Sequence, residues 1–313
     1  MKSKPLILAK ASLTKEQIEA KENAGAEGIE IQLLDEMVVN RLDEQFCYAE
    51  AVYDLDTLRE KDVHVVHAPI IPGISDITLE RLCDEGDAFL LEQIFFIANF
   101  YGHVHGRKTI IVVHSESYLE ELIDIGGSWT NVVYYLNQML NKYPHTEVVI
   151  ENVSPLRGIG KGKALHLANN FAFDNVELVQ ALRQELQTDR IGTCLDTCHQ
   201  MLTQKYITGL YQMVGDVPVP DLSMGTFFDK NKDYLKLIHL CDMKGSGYGR
   251  GRHGVPFNIF TAPTMDSILD LYHATGCNCP ITLEVEESDY IACDGFRNTK
   301  SLVDAYYKRL TTE

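Results

Sequence analysis

Eight short apolar runs are spaced along the chain, and six of them stop on a side chain able to bind a metal: His67 in VHVVH, His114 in TIIVVH, Glu151 in EVVIE, Asp196 in IGTCLD, His239 in LIHL and Glu284 in ITLE. A run of Val, Ile and Leu bounded by polar residues reads as a parallel strand buried on both faces. The residue that closes it is delivered to the open rim of the sheet. A single His or Glu in that place is ordinarily structural; six argue for one shared site. Carboxylates gathered there without a cation would repel and raise each other's pKa. Imidazole and carboxylate together suit zinc, manganese, cobalt or iron better than calcium.

Between the runs the hydrophobic period is helical. Strand one is expected over residues 5–9, followed by an amphipathic helix that opens at Thr14, with Gln17 completing a capping box, and stops at Gly25. Strand two is GIEIQL at 28–33, residues 35–61 read as helical, strand three ends at His67, and a long helix covers 77–101. Strand four ends at His114, a helix covers 129–143, strand five ends at Glu151, and a helix over 175–187 leads into strand six, ending at Asp196. Strand seven covers 237–240, a helix 264–275, strand eight is ITLEVE, and a closing helix spans 297–310. Eight β/α units in succession predict an α/β chain folded as a single (β/α)8 barrel, one domain over residues 1–313. An open doubly wound sheet would carry a Gly-rich turn after its first strand, and LAKASLTKEQ has none. The connections after strands five, six and seven are long, which in a barrel places them over the catalytic rim. They include NVSPLRGIGKGKALHLANN, an excursion of forty residues with VPVPDLSMG, and KGSGYGRGRHGVP.

Composition narrows the function classes. Hydrophobic residues make up 45% and charged residues 23% of 313, the balance of a globular chain with a sizeable core. The 45 acidic against 28 basic residues give a net charge of −17, which disfavours nucleic acid and anionic membranes as partners unless a local patch of cations dominates one cleft. MKSKPLILAK holds too short an apolar run for a signal peptide, and no stretch approaches a membrane-spanning length. The eight cysteines form no C-x-x-C pair. Reduced thiols in a cytoplasmic protein are expected, with packing as the role of Cys194, Cys198 and Cys241 beside the proposed ligands.

CLDTCH at 194–199, IHLCDMK at 238–244, the later Arg252-His253, IEN at 150–152 and the strand-end His67 and His114 occur in an order that resembles the endonuclease IV and sugar isomerase/epimerase superfamily, the xylose-isomerase-like barrels. In the isomerase branch the resemblance implies one divalent ion, zinc, manganese, cobalt or magnesium, held tightly by Glu151, Asp196, His239 and Glu284. Glu151 and Glu284 would then shuttle a proton on a metal-bound ketose. In the nuclease branch it implies two or three ions, with His67 and His114 on the first, Glu151 bridging, and His199 and His253 on the third. The family's D-x-H pattern stands here as Gly251, Arg252, His253, so that third ion lacks its carboxylate. The segment after strand two, LLDEMVVNRLDEQ, is acidic where a nuclease grips DNA.

His67, His114, His199 and His253 are alternatively contacts to substrate hydroxyls or phosphate. The Gly-rich segment with Lys244, Arg250 and Arg252 is expected to contact an anion, since glycine lets backbone N–H groups turn inward. From the sequence, a metal-dependent sugar or sugar-phosphate isomerase or epimerase stands first. An endonuclease-IV-like zinc phosphodiesterase stands second, and a non-catalytic metal-binding barrel third.

Overall fold

The structure is a computed structural model that describes residues 3–33, 55–56, 58–68, 78–79, 82, 85–115, 119–124, 128–153, 174–214, 221–244 and 252–312. Its central sheet is a closed eight-stranded parallel barrel of the TIM type, as the alternation of strands and helices predicts. In chain order the elements are β1 (Ile7–Ser12), α1 (Lys15–Asn23), β2 (Ile29–Gln32), β3 (Val63–His67), α2 (Glu85–His105), β4 (Thr109–His114), α3 (Leu119–Asp124), α4 (Ser128–Lys142), β5 (Thr146–Glu151) and α5 (Asp174–Leu186). There follow β6 (Ile191–Asp196), α6 (Thr197–Val214), α7 (Met224–Asn231), β7 (Leu235–Leu240), β8 (Asp242–Lys244), β9 (Arg252–Val255), α8 (Ala262–Ala274), β10 (Ile281–Leu283) and α9 (Asp294–Thr312). The hydrogen-bonded order around the barrel is β1-β10-β7-β6-β5-β4-β3-β2, and β8 pairs with β9 in a separate two-stranded sheet. By contacts the chain forms two compact units, Leu8–Glu151 with Glu177–Gly192, and Met1–Ile7 with Asn152–Val176 and Thr193–Glu313.

In the first unit, local chemistry sets the element ends. Thr14 caps α1 by accepting from the Gln17 N–H, and the Gln17 side chain reaches back to the Ser12 N–H at 3.1 Å, past the cap residue itself. The chain leaves that helix at Gly25, whose φ of 94° suits glycine. In α4, Val132, Leu136, Met139 and Leu140 fall on one face and are buried, each worth about 2 kcal/mol of apolar transfer. β1 continues to Ser12, beyond the expected end at residue 9, because the polar Lys10 and Ser12 take barrel positions beside Glu30 and Gln32. The long helix expected over 77–101 lies at Glu85–His105 and stops at Gly106, φ 63°. Most of the helix expected over 35–61 lies outside the described residues, and Leu55, Asp56 and residues 58–60 form turns.

In the second unit the stretch after Asp196 departs from the expected long rim loop. It is α6, begun on the next residue, with Leu202, Tyr206 and Ile207 buried, and then α7. The Gly-rich segment is bounded by an antiparallel pair, Asp242 opposite Val255 and Lys244 opposite Arg252. Strand eight is shorter than ITLEVE. The chain leaves the sheet after Leu283, and the Glu286 N–H then donates to the Gly254 carbonyl at 2.7 Å. Among the described residues no helix is long and apolar enough to cross a membrane.

Candidate metal centre

Parallel strands deliver their last side chains to one end of a sheet. His67, His114, Glu151 and Asp196 are the final residues of β3, β4, β5 and β6; His239 is one residue short of the end of β7, and Glu284 directly follows β10. Register then sets neighbours. Gln32 stands beside His67, His114 beside Glu151, and Asp196 beside His239.

In the first unit His67, His114 and Glu151 are buried, with ligand atoms within 4.8 Å of one another. Both imidazoles present Nε2 to the same carboxylate oxygen, Glu151 Oε2, at 3.0 Å from His67 and 3.2 Å from His114. The rings meet edge to face at 5.2 Å. His67 Nδ1 lies 2.8 Å from the Ala68 carbonyl, which can only accept, so Nδ1 carries the proton and Nε2 the lone pair of the neutral ring. Burial, reinforced by Lys10, lowers the pKa of His67 against the raising pull of Glu151. A neutral Nε2 and a carboxylate oxygen are both acceptors, and a cation shared between them resolves the conflict. The donor set therefore fits a divalent ion.

Gln32 Nε2 lies 3.3 Å from His67 Nδ1 and donates to the Ala68 carbonyl at 3.2 Å, fixing the ring from behind. Glu30 is fully buried and 3.6 Å from Lys10. Neither Glu30 nor Gln32 was picked out from the sequence. The signal was there in GIEIQL, where two polar residues alternate with Ile29 and Ile31 and so face the barrel interior.

In the second unit Asp196, His239 and Glu284 are buried, again with ligand atoms within 4.8 Å of one another. Asp196 has two jobs. Oδ1 accepts the His199 N–H at 2.7 Å and so caps α6, while Oδ2 faces His253 Nε2 at 3.1 Å. Glu284 likewise splits its oxygens, Oε2 lying 2.6 Å from His239 Nδ1 and Oε1 3.6 Å from His253 Nε2. Burial alone would lower the His253 pKa; the Glu284 and Asp196 carboxylates overcome it and push it up to about 10. The carboxylates thus recruit a positive charge. His199 stacks on His253 at 4.6 Å and donates Nδ1–H to the Asn152 carbonyl at 2.8 Å, which leaves its Nε2 as the lone-pair nitrogen of the neutral ring.

Two positioning residues escaped the sequence. Asn152 grips the backbone of Asp196 twice: its Nδ2 donates to the Asp196 carbonyl at 3.0 Å, and its Oδ1 accepts the Asp196 N–H at 2.7 Å. The Thr197 hydroxyl, with one proton to give, lies 3.2 and 3.1 Å from the carbonyls of His239 and Cys241 and accepts the Cys241 N–H at 3.3 Å. The clamps hold the ends of β6 and β7 in place. Of the residues expected on the anion-binding segment, Lys244 is exposed at the end of β8, Arg252 lies on β9, and Arg250 and Gly251 fall outside the described residues.

Residues 101–306 match the family described as xylose isomerase-like TIM barrel, and the chain belongs to that family. Its superfamily is one of metal-dependent enzymes that includes epimerases and endonuclease IV. A Mycoplasma genitalium protein named probable endonuclease 4 is 26% identical over 206 residues, covering 63% of this chain and 60% of its own length. The chain thus spans less than two thirds of that relative. Among solved structures, endonuclease IV from Thermus thermophilus superposes with a TM-score of 0.53 at 15% identity, over 96% of this chain and 100% of the other. An L-ribulose 3-epimerase gives 0.51 at 13% identity, over 98% and 97%. At such identities the structural likeness establishes the fold alone.

Proposed function

We propose that this protein is an endonuclease-IV-like, metal-dependent phosphodiester hydrolase acting on abasic DNA or a related phosphodiester. One observation carries the reading: His67 and His114 both aim Nε2 at Glu151 Oε2 and form a buried donor set of their own. A single-ion isomerase needs only the quartet Glu151, Asp196, His239 and Glu284, with His67 and His114 left to touch substrate. Here they face a carboxylate. The relative named probable endonuclease 4 supports the same choice.

In this reading His67, His114 and Glu151 would hold one ion, and Asp196, His239 and Glu284 would hold a second. His199 and His253 would hold a third, more weakly, since Gly251 brings no carboxylate. The metals, zinc by donor type, would polarise a phosphoryl oxygen and lower the pKa of water. The chain's own share is orientation. The Ala68 carbonyl, itself held by Gln32, fixes the His67 tautomer, Asn152 and Thr197 fix the strand ends, and Asp196 keeps one oxygen on the α6 cap.

The test is incision of a duplex carrying one abasic site by the zinc-loaded protein. Cleavage that chelator abolishes and zinc restores is expected, weak at high salt because of the charge of −17. Absence of incision, together with solvent deuterium entering a ketose and lost in Glu151→Gln and Glu284→Gln, would instead establish the sugar isomerase or epimerase reading. That reading draws its support from the buried group of Asp196, His239 and Glu284.

A further inference from the structure

Cys198 and Cys241 stand behind the carboxylates, and the mechanism above gives them no part. Cys198 lies in the first turn of α6 and Cys241 just past the end of β7, and both are wholly buried. Leu202 and Met243 pack around them, which is the packing role the sequence suggests. Together with a carboxylate oxygen of Asp196 and an imidazole nitrogen of His253, the two sulfurs form a group whose ligand atoms all lie within 4.8 Å of one another. Sulfurs on one tetrahedral zinc, with Zn–S of about 2.3 Å, sit about 3.8 Å apart, so a group of this size matches a four-ligand cage. The backbone is held for it. Thr197 bonds both the N–H and the C=O of Cys241 and is the chain neighbour of Cys198.

We propose that Cys198, Cys241, His253 and Asp196 form a thiolate site for a thiophilic divalent cation of the zinc type, one that shares Asp196 and His253 with the proposed hydrolase sites and adds two sulfurs they lack. Two sulfurs, one nitrogen and one oxygen are a donor set that selects zinc or cadmium over magnesium or calcium. Binding transfers the two thiol protons to water and leaves two thiolates on the ion, so no oxidant or reductant is involved. Such an ion ties the start of α6 to the strand pair β8–β9 through His253. It would therefore also hold the strand positions of Lys244 and Arg252, which pair across β8 and β9. Asp196 and His253 are common to this set and to the hydrolase set, so an ion here takes His253 from the proposed third ion, whereas Cys198 and Cys241 belong to this one only.

The full chain, stripped of metal and kept reduced, is titrated with cobalt(II) while thiolate-to-cobalt charge-transfer absorption is followed in the near ultraviolet. The band is expected to grow to one equivalent in the wild type and to be lost in Cys198→Ser and Cys241→Ser, with total metal falling by that one equivalent. Asp196→Asn should empty both classes of site. Because serine at a buried position can impair folding, X-ray absorption on the zinc-loaded wild type gives an independent readout, with sulfur scatterers expected at about 2.3 Å. A wild type with no charge-transfer band and only nitrogen and oxygen scatterers would overturn the proposal, as would a band that survives in both serine variants. The outcome is separable from the hydrolase reading, since a protein that fails to incise DNA would still show the band.

Discussion

The two ends of the barrel strands satisfy their polar groups in opposite ways. At the N-terminal ends, donors meet acceptors. Arg190, just before β6, donates to the carbonyls of Thr146, Leu140 and Tyr143 at 2.8, 2.7 and 2.7 Å and to the Thr146 hydroxyl at 3.0 Å. Arg183 donates to the Ile191 carbonyl, Arg107 to Asp62 and the Val63 carbonyl, and Tyr272 to the Cys279 carbonyl. At the C-terminal ends, His67 Nε2 and Glu151 Oε2 meet as two acceptors, with His114 on the same oxygen, and Asp196 and Glu284 crowd His239 and draw a positive charge onto His253. The first arrangement closes itself with protein atoms. The second calls for cations, which is why stability and chemistry separate along the barrel axis.

Substitutions at the two ends should therefore fail differently. Asp196→Asn keeps a side-chain oxygen for the α6 cap but removes the charge. Bound metal by elemental analysis should fall, and incision of abasic DNA should drop by at least about 100-fold. Retained metal would remove Asp196 from the ligands. Arg190→Ala should do the reverse. It strips the donors from three carbonyls and a hydroxyl, and about 3 kcal/mol of stability should go, read as a lower urea midpoint with metal content unchanged. A loss of metal in that variant would break the separation between the ends.

The sequence was most legible where a buried strand stops. β3, β4, β5 and β6 end on His67, His114, Glu151 and Asp196 as expected, because an apolar run can place a charged residue only where it leaves the core. It was less legible inside the barrel, where Lys10, Glu30 and Gln32 are polar yet buried or nearly so, and an apolar count ends β1 too early. Asn152 and Thr197 were hidden for another reason. Their partners Asp196, His239 and Cys241 lie more than forty residues away, and only strand pairing brings them together. The ranking of functions was hidden because both branches share the quartet; the aim of His67 and His114 at Glu151, a side-chain orientation on which the proposed ranking rests, cannot be read from a string of residues.

Asn152 tests whether a residue that touches no proposed ion still belongs to the site. Its two bonds fix the Asp196 backbone and its carbonyl fixes the His199 tautomer. Asn152→Ala should weaken metal binding by about 10- to 100-fold in a competition titration with a chromophoric chelator, while Asn152→Asp, which keeps one acceptor, should recover part of the loss. Equal affinity in all three proteins would restrict its role to strand pairing.

The smallest effect is expected at the opposite end, at Asp62. Burial would raise its pKa, but the hydrogen bond from Arg107 and the neighbouring His64 outweigh that and hold it below the usual carboxylate value. A carboxylate whose folded pKa is depressed stabilises the fold above its unfolded pKa, near 3.9, and loses that contribution as pH falls through the folded value. Half of the Asp62 side chain is exposed, so solvent and salt screen the pair and its worth stays below about 1 kcal/mol. Urea unfolding of wild type and Asp62→Asn should therefore differ slightly near neutral pH and less in high salt, and the difference should vanish in acid below the folded pKa. A gap that persists in acid would mean that Asp62 acts through hydrogen-bond geometry rather than charge, and the N-terminal ends would then owe their stability wholly to the bonds onto backbone carbonyls.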